Sequence, residues 1–265
     1  MDVDAIADVV RQSRKYRHLC LDTVARIARW ALPRSNSQKD AVKRTKRKLH
    51  QVYGAYLAGL DTARLDGLLA RMPEGEGLDP VRDACRAMME LHASTRERLD
   101  VLDTFYEPIF AVTGMPERIL DLGCGLHPLA LPWMGLPQGI EYEAWEIDGR
   151  IVDWLNRFFP AVGVSGVARW RDMSCLGPND GADVVFLLKM IPCLEQQEKG
   201  WGARLLRQLR ARHAVVSFPG RSLGGREKGM ADTYAQMMDE MLSASGWRAD
   251  LVMRAPELCY VLQPS

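Results

Sequence analysis

The stretch Ile119-Leu120-Asp121-Leu122-Gly123-Cys124-Gly125-Leu126 decides the fold class. It is typical of a short apolar strand that ends in an acidic residue and a tight glycine turn. Glu146, in the sequence Glu146-Ile147-Asp148, lies 25 residues after Asp121, at the end of another apolar run. This spacing predicts a Rossmann-like half that binds a nucleotide: the glycines let the backbone approach the ligand, and the later carboxylate accepts hydrogen bonds from a ribose.

The residues after the second glycine indicate which cofactor fits. Leu126, His127 and Pro128 follow Gly125, so the third glycine of a dinucleotide fingerprint is missing. A pyrophosphate needs several free N–H groups at a helix N-terminus, and Pro128 removes one of them. A cofactor without phosphates fits better, and S-adenosylmethionine (SAM) is the common one.

Composition points to a globular protein. The chain has 265 residues, of which 47% are hydrophobic and 26% are charged, so it can form one large domain or a medium domain with a smaller one. No apolar run reaches the length of a membrane span, and the N-terminus lacks a signal-peptide pattern. The six cysteines are scattered without a Cys-x-x-Cys pair. We therefore expect a cytoplasmic protein with reduced thiols, no disulfide frame and no metal site.

Charge is distributed unevenly along the chain. Residues 1–50 contain 13 Lys and Arg against 5 Asp and no Glu, a net charge of +8, whereas the whole chain carries only +1. Five of these basic residues fall within 43–48, and Tyr53 follows on the same predicted helix. A basic segment on an otherwise acidic protein indicates an anionic partner, most often a nucleic acid.

The pattern of elements divides the chain at about residue 90. The sequence pattern predicts a helical, basic RNA-binding domain over residues 1–90 and a SAM-binding domain over residues 91–265. Hydrophobic periodicity predicts helices over residues 4–16, 21–32, 39–56, 61–71 and from 80 onward. Ser37 is a candidate cap for the third of these helices, and Ser94 with Glu97 forms a capping-box pattern. Seven strands are predicted: Arg118–Leu122, Tyr142–Ile147, Val167–Trp170, Asp183–Leu188, Ala214–Phe218, Ala249–Met253 and Leu258–Leu262.

Alternation of strands and helices predicts the fold class. We expect an α/β protein with a mostly parallel, Rossmann-like, seven-stranded sheet covered by helices on both faces. The last two strands lie close together in sequence, which favours an antiparallel terminal hairpin. Such a sheet suits a class I SAM-dependent methyltransferase better than an NAD enzyme.

Ligands of this fold bind outside the carboxyl ends of the strands. Asp172 follows the third strand, where it could accept a hydrogen bond from an adenine amino group or cap a helix. Lys189 directly follows a buried apolar strand, so its side chain is expected at the pocket mouth. A glycine-rich loop with two arginines, residues 217–226, follows the fifth strand.

Several segments together resemble one family. They are His92-Ala93-Ser94-Thr95-Arg96-Glu97-Arg98, Cys124-Gly125-Leu126-His127-Pro128-Leu129-Ala130, Lys189-Met190-Ile191-Pro192, Ser217-Phe218-Pro219-Gly220-Arg221-Ser222-Leu223-Gly224-Gly225-Arg226 and the basic Ser13-Arg14-Lys15-Tyr16-Arg17-His18-Leu19-Cys20. The chain resembles the aminoglycoside-resistance 16S rRNA methyltransferases of the Arm/Rmt/Sgm group, which modify N7 of guanine 1405 in the decoding site. His127 stands where this family usually has Asn, and Gly220 where Thr is frequent.

The resemblance implies an enzyme that acts on 16S rRNA in the assembled 30S subunit and gives aminoglycoside resistance. We expect a monomer, although the sequence itself does not give the oligomeric state. Residues expected to bind the cofactor are His92, Arg98, Asp121, Gly123, Gly125, Glu146, Ile147, Asp172, Met173 and Leu188. Residues expected to hold the target base and nearby phosphates, our catalytic candidates, are Lys189, Ser217, Phe218 and Arg221. Residues expected to grip the RNA backbone are Arg14, Lys15, Arg17, Lys43, Arg44, Lys46, Arg47, Lys48 and Arg226.

Three other functions stay open at this point. The protein could be a SAM-dependent methyltransferase for another RNA base, such as N1 of a decoding-site adenine. It could be a ribosome-binding protein that keeps SAM only as a structural ligand. An NAD-dependent oxidoreductase is disfavoured by Pro128 and by the missing third glycine.

Overall fold

The seven predicted strands form one sheet. The computed structural model describes residues 2–57, 61–73, 77–177, 180–220 and 230–265, with only the backbone described for residues 55–57 and 93. The strands are β1 (Arg118–Leu122), β2 (Glu141–Glu146), β3 (Gly166–Trp170), β4 (Gly181–Leu188), β5 (Arg210–Pro219), β6 (Trp247–Met253) and β7 (Glu257–Pro264). Their spatial order is β3-β2-β1-β4-β5-β7-β6.

Strand direction confirms the predicted fold class. β3, β2, β1, β4 and β5 pair in parallel, whereas β7 is antiparallel to both β5 and β6. The chain order reverses at β1, which lies between β2 and β4. In an open sheet of this kind a ligand binds beside that reversal point, outside the carboxyl ends of the strands.

Helices precede and cover this sheet. They are α1 (Val3–Arg11), α2 (Leu21–Ala31), α3 (Gln38–Leu57), α4 (Thr62–Leu69), α5 (Leu78–Met89), α6 (Ala93–Arg96), α7 (Leu102–Phe105), α8 (Glu107–Thr113), α9 (Gly149–Ala161), α10 (Ile191–Gln197), α11 (Trp201–Gln208) and α12 (Met230–Ser243). Ser37 caps α3 as predicted, because its hydroxyl accepts a hydrogen bond from the Asp40 N–H at 3.2 Å.

Two local predictions were wrong. The first helix ends at Arg11 and does not continue to Tyr16. Ser94 and Glu97 do not form a capping box, because Ser94 lies inside the short helix α6 and the Glu97 carboxylate accepts a hydrogen bond from Lys189. In both places a contact outside the local segment outweighs the sequence pattern: Tyr16 is buried, and its hydroxyl donates to the Lys46 carbonyl in α3 at 3.0 Å.

The helices α1, α2 and α3 have a hydrophobic core of their own. Ile6, Val24, Ile27 and Leu49 are among the apolar side chains buried in it. The helices α4 and α5 instead pack on the core of the sheet domain. The division of the chain at residue 90 stays a prediction.

The described part of the chain contains no helix that is long and apolar enough to cross a membrane. Its six cysteines are all free thiols.

Candidate cofactor and RNA site

One pocket lies at the carboxyl edge of the parallel strands. All ten residues predicted to bind the cofactor line it, and so does Lys189. The lining is completed by Arg26, Tyr53, Ser94, Thr95, Cys124, Leu126, His127, Ile151, Arg171, Met190, Cys193 and Leu194. The structure therefore gathers residues from the glycine turn, from three strand ends and from the segment before β1 around one cavity.

The glycine turn after β1 forms the floor of the pocket. Gly123 and Gly125 have φ angles of +67° and +52°, in the left-handed region that side chains with a Cβ rarely adopt. A Cβ on Gly123 would lie 2.8 Å from the Met190 sulfur, whereas a Cβ on Gly125 would project into open space. At Gly123 the Met190 side chain would have to move to admit a larger residue, whereas the space beside Gly125 is free for a ligand.

Glu146, at the end of β2, is held by backbone N–H groups. Its Oε2 accepts a hydrogen bond from Gly125 at 2.8 Å, and its Oε1 accepts from Ile147 at 2.7 Å and from Asp148 at 3.1 Å. Burial raises the pKa of this carboxyl to about 7, although the three N–H donors act in the opposite direction. Glu146 thereby fixes the glycine turn and presents a carboxyl group to the pocket.

Asp121, at the end of β1, belongs to a buried polar network. Its Oδ2 accepts from the Tyr142 hydroxyl and contacts the His127 Nδ1, both at 2.7 Å. The His127 Nε2 lies 2.8 Å from the Tyr106 hydroxyl. His127 therefore bridges Asp121 and Tyr106 and holds the Asp121 side chain in place.

Asp172, after β3, binds residues of the N-terminal helices. Its Oδ2 accepts from the Thr23 hydroxyl at 2.6 Å and from Arg26 Nη2 at 2.7 Å, and its Oδ1 accepts from the Ser174 N–H at 2.8 Å. Burial alone would raise the pKa of this carboxyl, but Arg26 and the hydrogen bonds outweigh burial and lower it. Asp172 is therefore ionised at neutral pH. It also caps the short helical turn at 173–175, which confirms the second of its two expected roles; the contact with an adenine amino group stays a prediction.

The segment 92–98 covers one side of the pocket. The Nδ1 of His92 is buried and has no hydrogen-bond partner among the described residues. Burial, together with the charge of Lys189, lowers the pKa of His92, so its imidazole is neutral near pH 7. Arg98 is also buried and forms a bidentate ion pair with Glu257 of β7, with Nε–Oε1 and Nη2–Oε2 distances of 2.7 and 3.1 Å.

Lys189 lines the pocket, is almost completely buried and has a strained backbone, so its expected position at the pocket mouth stays a prediction. Its φ of +59° is in the left-handed region, which is unusual for a residue other than glycine. Its Nζ donates to the Ser94 carbonyl at 2.8 Å and to the Glu97 carboxylate at 2.7 Å. The lysine thus ties the end of β4 to the segment 92–98.

Two of the four catalytic candidates lie behind the pocket. Ser217 is fully buried, and its hydroxyl donates to the Glu257 carboxylate and accepts from the Lys189 N–H. Phe218 is also fully buried, with its ring stacked on Tyr234 at a centroid distance of 5.0 Å. The structure therefore does not bring these two side chains to the lining. Arg221 and the RNA-binding candidate Arg226 lie outside the described residues.

Some of the residues predicted to bind the RNA backbone are exposed, and others contact neighbouring protein groups. Arg14, Lys15, Arg17, Lys43 and Arg47 are exposed. Apart from Arg226, the remaining candidates, Arg44, Lys46 and Lys48, are half-buried. Of these, Arg44 forms an ion pair with Asp40 at 2.9 Å, and the Lys48 Nζ donates to the Gln196 carbonyl at 3.0 Å. Two of the five exposed cations also have side-chain partners: Lys15 Nζ lies 2.8 Å from His50 Nδ1, and Arg17 Nε donates to His18 Nε2 at 3.0 Å.

Three contributions were not predicted. Arg26 and Tyr53 reach the pocket from α2 and α3, and Glu257 joins Arg98 to Ser217 from β7. Arg26 was visible only as one basic residue on the apolar helix α2, where an amphipathic pattern gives no reason to choose it. Glu257 had no sequence signal: it lies one residue before the predicted strand Leu258–Leu262.

The pocket fits a cofactor without phosphates. Two buried polar atoms without partners among the described residues, His92 Nδ1 and Arg26 Nε, belong to lining residues. Asp121, Glu146 and Asp172 line the pocket as well. The four cations of the lining are each in an ion pair: Arg26 with Asp172, Arg98 with Glu257, Arg171 with Asp180 and Lys189 with Glu97. This balance suits the amino and hydroxyl groups of an aminoacyl nucleoside better than a polyphosphate. Within the described ranges, no group of His, Cys, Asp or Glu could hold a metal ion.

Comparisons with known proteins agree with this geometry. Residues 12–261 match the model of the family described as ribosomal RNA methyltransferase (FmrO). The 16S rRNA (guanine(1405)-N(7))-methyltransferases of Micromonospora rosea and Frankia casuarinae are 39% and 40% identical to this chain. The two alignments each cover 98% of this chain, and they cover 96% and 93% of the respective relatives. The crystal structure of the 16S rRNA methyltransferase RmtF in complex with S-adenosyl-L-homocysteine is 34% identical, with a TM-score of 0.84 over all of both chains. This chain therefore belongs to the ribosomal RNA methyltransferase (FmrO) family.

Proposed function

We propose that this protein transfers a methyl group from SAM to N7 of guanine 1405 of 16S rRNA in the assembled 30S subunit. The proposal rests on a pocket whose lining suits a cofactor without phosphates. It rests also on relatives that are named for this reaction and that align with this chain over nearly their whole length. The neighbouring basic helices supply the charge that an RNA substrate requires.

The pocket residues have complementary roles in holding SAM. Glu146 would accept hydrogen bonds from the ribose, and Asp172 would accept one from the adenine amino group. Asp121 would face the methionine ammonium, with His92 beside the methionine part. The open space at Gly125 lets the backbone approach the ligand.

The chemistry needs positioning more than proton transfer. Guanine N7 carries an in-plane lone pair and no proton, so no general base has to act before attack. When bound, SAM supplies a methyl group on a positively charged sulfur; the N7–carbon bond forms as the sulfur–carbon bond breaks, and that electron pair stays on sulfur. The pocket residues must hold the two partners in line and exclude water.

The target base must leave its helical stack to reach the pocket. Lys189 lines the pocket and its Nζ is held by Ser94 and Glu97, and we assign it to contact the incoming nucleotide through its remaining N–H donor. Ser217 supports Lys189 from behind, because its hydroxyl and its carbonyl both accept from the Lys189 N–H. We assign Ser217 to positioning, and Phe218 to the core beneath it.

The test uses purified 30S subunits, this protein and SAM. The extracted 16S rRNA is treated with borohydride and aniline, which cleave at N7-methylguanine, and the cleavage is mapped by primer extension. We expect a stop at guanine 1405 that depends on SAM. Methyl incorporation without this stop would move the target to another base, such as an adenine, and no incorporation would contradict an enzymatic function.

A matched pair of variants links the activity to the pocket. Glu146→Ala removes the carboxyl group at the carboxyl end of β2, and we expect loss of the primer-extension stop. Glu141→Ala removes an exposed carboxyl group from the other end of the same strand and should leave the stop intact. Equal activity of both variants would show that the reaction does not use this pocket.

We further propose that the protein works as a monomer in the cytoplasm and gives resistance to aminoglycosides that bind the decoding site. Expression in a susceptible bacterium should raise the inhibitory concentration of such aminoglycosides, and the Glu146→Ala variant should not. A dimer in sedimentation analysis would contradict the monomer.

A further inference from the structure

The N-terminal helices contribute directly to the cofactor pocket. Thr23 and Arg26, both on α2, donate to the same oxygen of Asp172, and Arg26 itself lines the pocket. Tyr53 of α3 lines it as well, with its hydroxyl 3.0 Å from Arg26 Nη2. These contacts join residues that are 149 and 146 positions apart in the chain.

Arg26 is fixed by partners on four sides. Besides Asp172 and Tyr53, its Nη1 donates to the Gln197 side chain in α10. Its guanidinium carbon lies 4.4 Å from the centre of the Trp201 ring in α11, a distance at which a cation and an aromatic ring attract each other. Arg26 is thus the point at which α2, α3, α10 and α11 meet the end of β3.

The contacts of Asp172 leave one acceptor position for a ligand. A carboxylate has about four acceptor positions. Among the described residues, Thr23 and Arg26 take two on Oδ2 and the Ser174 N–H takes one on Oδ1. The remaining position is therefore on Oδ1, and Thr23 and Arg26 determine how the carboxylate is turned.

We infer that Arg26 is a positioning residue of the cofactor site, so that SAM binding requires the N-terminal helices docked against the sheet domain. Arg26 holds the ionised Asp172 with Oδ1 directed to the cofactor. The inference rests on the proposed function, because it assigns a second role to the domain that carries the RNA-binding surface. It follows by thermodynamic linkage that cofactor binding stabilises this docking by the same amount.

A buried, unpaired atom supports a direct effect on the ligand. The Nε of Arg26 has no partner among the described residues, although Nη1 and Nη2 of the same guanidinium do. A buried donor without an acceptor is costly, and a ligand acceptor in the pocket would remove that cost. A residue that served only to join two domains would not need to line the pocket.

The test measures the affinity of the full-length protein for S-adenosyl-L-homocysteine by isothermal titration calorimetry. We expect Arg26→Ala to weaken binding by about tenfold or more, and Thr23→Val by about threefold, since both remove donors to a charged group. Arg26→Lys should recover part of the loss, because it keeps the charge but not the planar fork. Arg29→Ala, an exposed change one turn later on α2, is the matched control and should bind like the wild type.

A kinetic measurement separates positioning from a general loss of structure. In methylation of 30S subunits, Arg26→Lys should raise KM for SAM while leaving kcat at saturating SAM within about twofold. A lower fraction of folded protein would instead lower kcat and leave KM unchanged. That second pattern would overturn the inference.

The outcomes also separate this inference from the proposed function. A wild-type protein that does not bind S-adenosyl-L-homocysteine would contradict the proposed function itself. Wild-type binding with unchanged affinity in a folded Arg26→Ala variant would overturn only the role of Arg26. If Arg26→Ala does not fold, unchanged affinity in both Arg26→Lys and Thr23→Val decides against the inference in the same way.

Discussion

Arg98 and Glu257 form an ion pair that is almost completely buried, with 2% and 3% of their side-chain surfaces exposed. The two residues lie 159 positions apart, one in the segment before β1 and the other at the start of β7. The Arg98 guanidinium also lies over the Phe105 ring at 4.4 Å, and Glu257 accepts from the Ser217 hydroxyl. The pair therefore connects Arg98, which lines the pocket, to Ser217 near the end of β5.

The first prediction concerns the stability of that pair. Removing one partner leaves a buried charge without compensation, so Glu257→Ala should lower the free energy of unfolding by about 3–5 kcal/mol. Urea unfolding followed by circular dichroism measures the change. The exposed pair of Arg157 and Asp66, at 2.6 Å, provides the control: Asp66→Ala should cost no more than about 1 kcal/mol. Equal effects of the two variants would contradict a special role for burial.

The second prediction concerns the pH dependence of cofactor binding. The pKa of Glu146 is raised to about 7 by burial, and a ribose hydroxyl donates most strongly to an ionised carboxylate. Affinity for S-adenosyl-L-homocysteine should therefore rise between about pH 6 and pH 8. Calorimetry across this range should show the rise in the wild type and a flat profile in Glu146→Gln. A rise that persists in the variant would assign the titration to another group.

The same pKa sets the sign of a stability effect. Between the usual carboxyl pKa of 4.5 and about 7 the folded protein binds one more proton than the unfolded chain. The Glu146 contribution to stability is therefore fully present below pH 4.5 and falls as pH rises to 7, by roughly 3 kcal/mol. We expect Glu146→Gln to gain stability relative to the wild type over this interval in the absence of cofactor. A stability advantage of Glu146→Gln over the wild type that is smaller at pH 8 than at pH 5 would contradict the raised pKa.

The third prediction concerns Gly220, the residue directly after β5. A Cβ at this position would lie 2.0 Å from the Pro256 carbonyl oxygen, so a side chain requires the backbone to move. Gly220→Ala should destabilise the protein by about 1–3 kcal/mol. Gly67→Ala is the control, since nothing lies within 4 Å of its Cβ inside α4; it should stabilise by roughly 0.5–1 kcal/mol. Thermal unfolding gives both values, and a neutral Gly220→Ala would show that this turn yields easily.

The seven strands were predictable from the sequence because most contain alternating or continuous apolar residues between turn residues, and the observed ends differ from the predicted ones by at most four residues. The ten cofactor candidates were found through strand ends and family motifs, both of which are local features. The contacts of Asp172 with Thr23 and Arg26 were not predictable, because a single sequence contains no information on which of many basic residues reaches a distant carboxylate. The buried position of Phe218 was missed for a related reason: stacking on Tyr234 depends on how α12 packs on the sheet.

The last prediction concerns the exposed cations of the N-terminal helices. Lys43 and Arg47 are one turn apart on the exposed side of α3, where they can contact phosphates without reading sequence. Changing both to Gln should weaken 30S binding and reduce the slope of log affinity against log salt by about 1–2. The affinity for S-adenosyl-L-homocysteine should not change, because neither residue lines the pocket. Arg248→Gln, an exposed change on β6, is the control and should leave both affinities unchanged. Filter binding of 30S subunits at several salt concentrations measures the slope, and an unchanged slope in the double variant would place the RNA on another face of the protein.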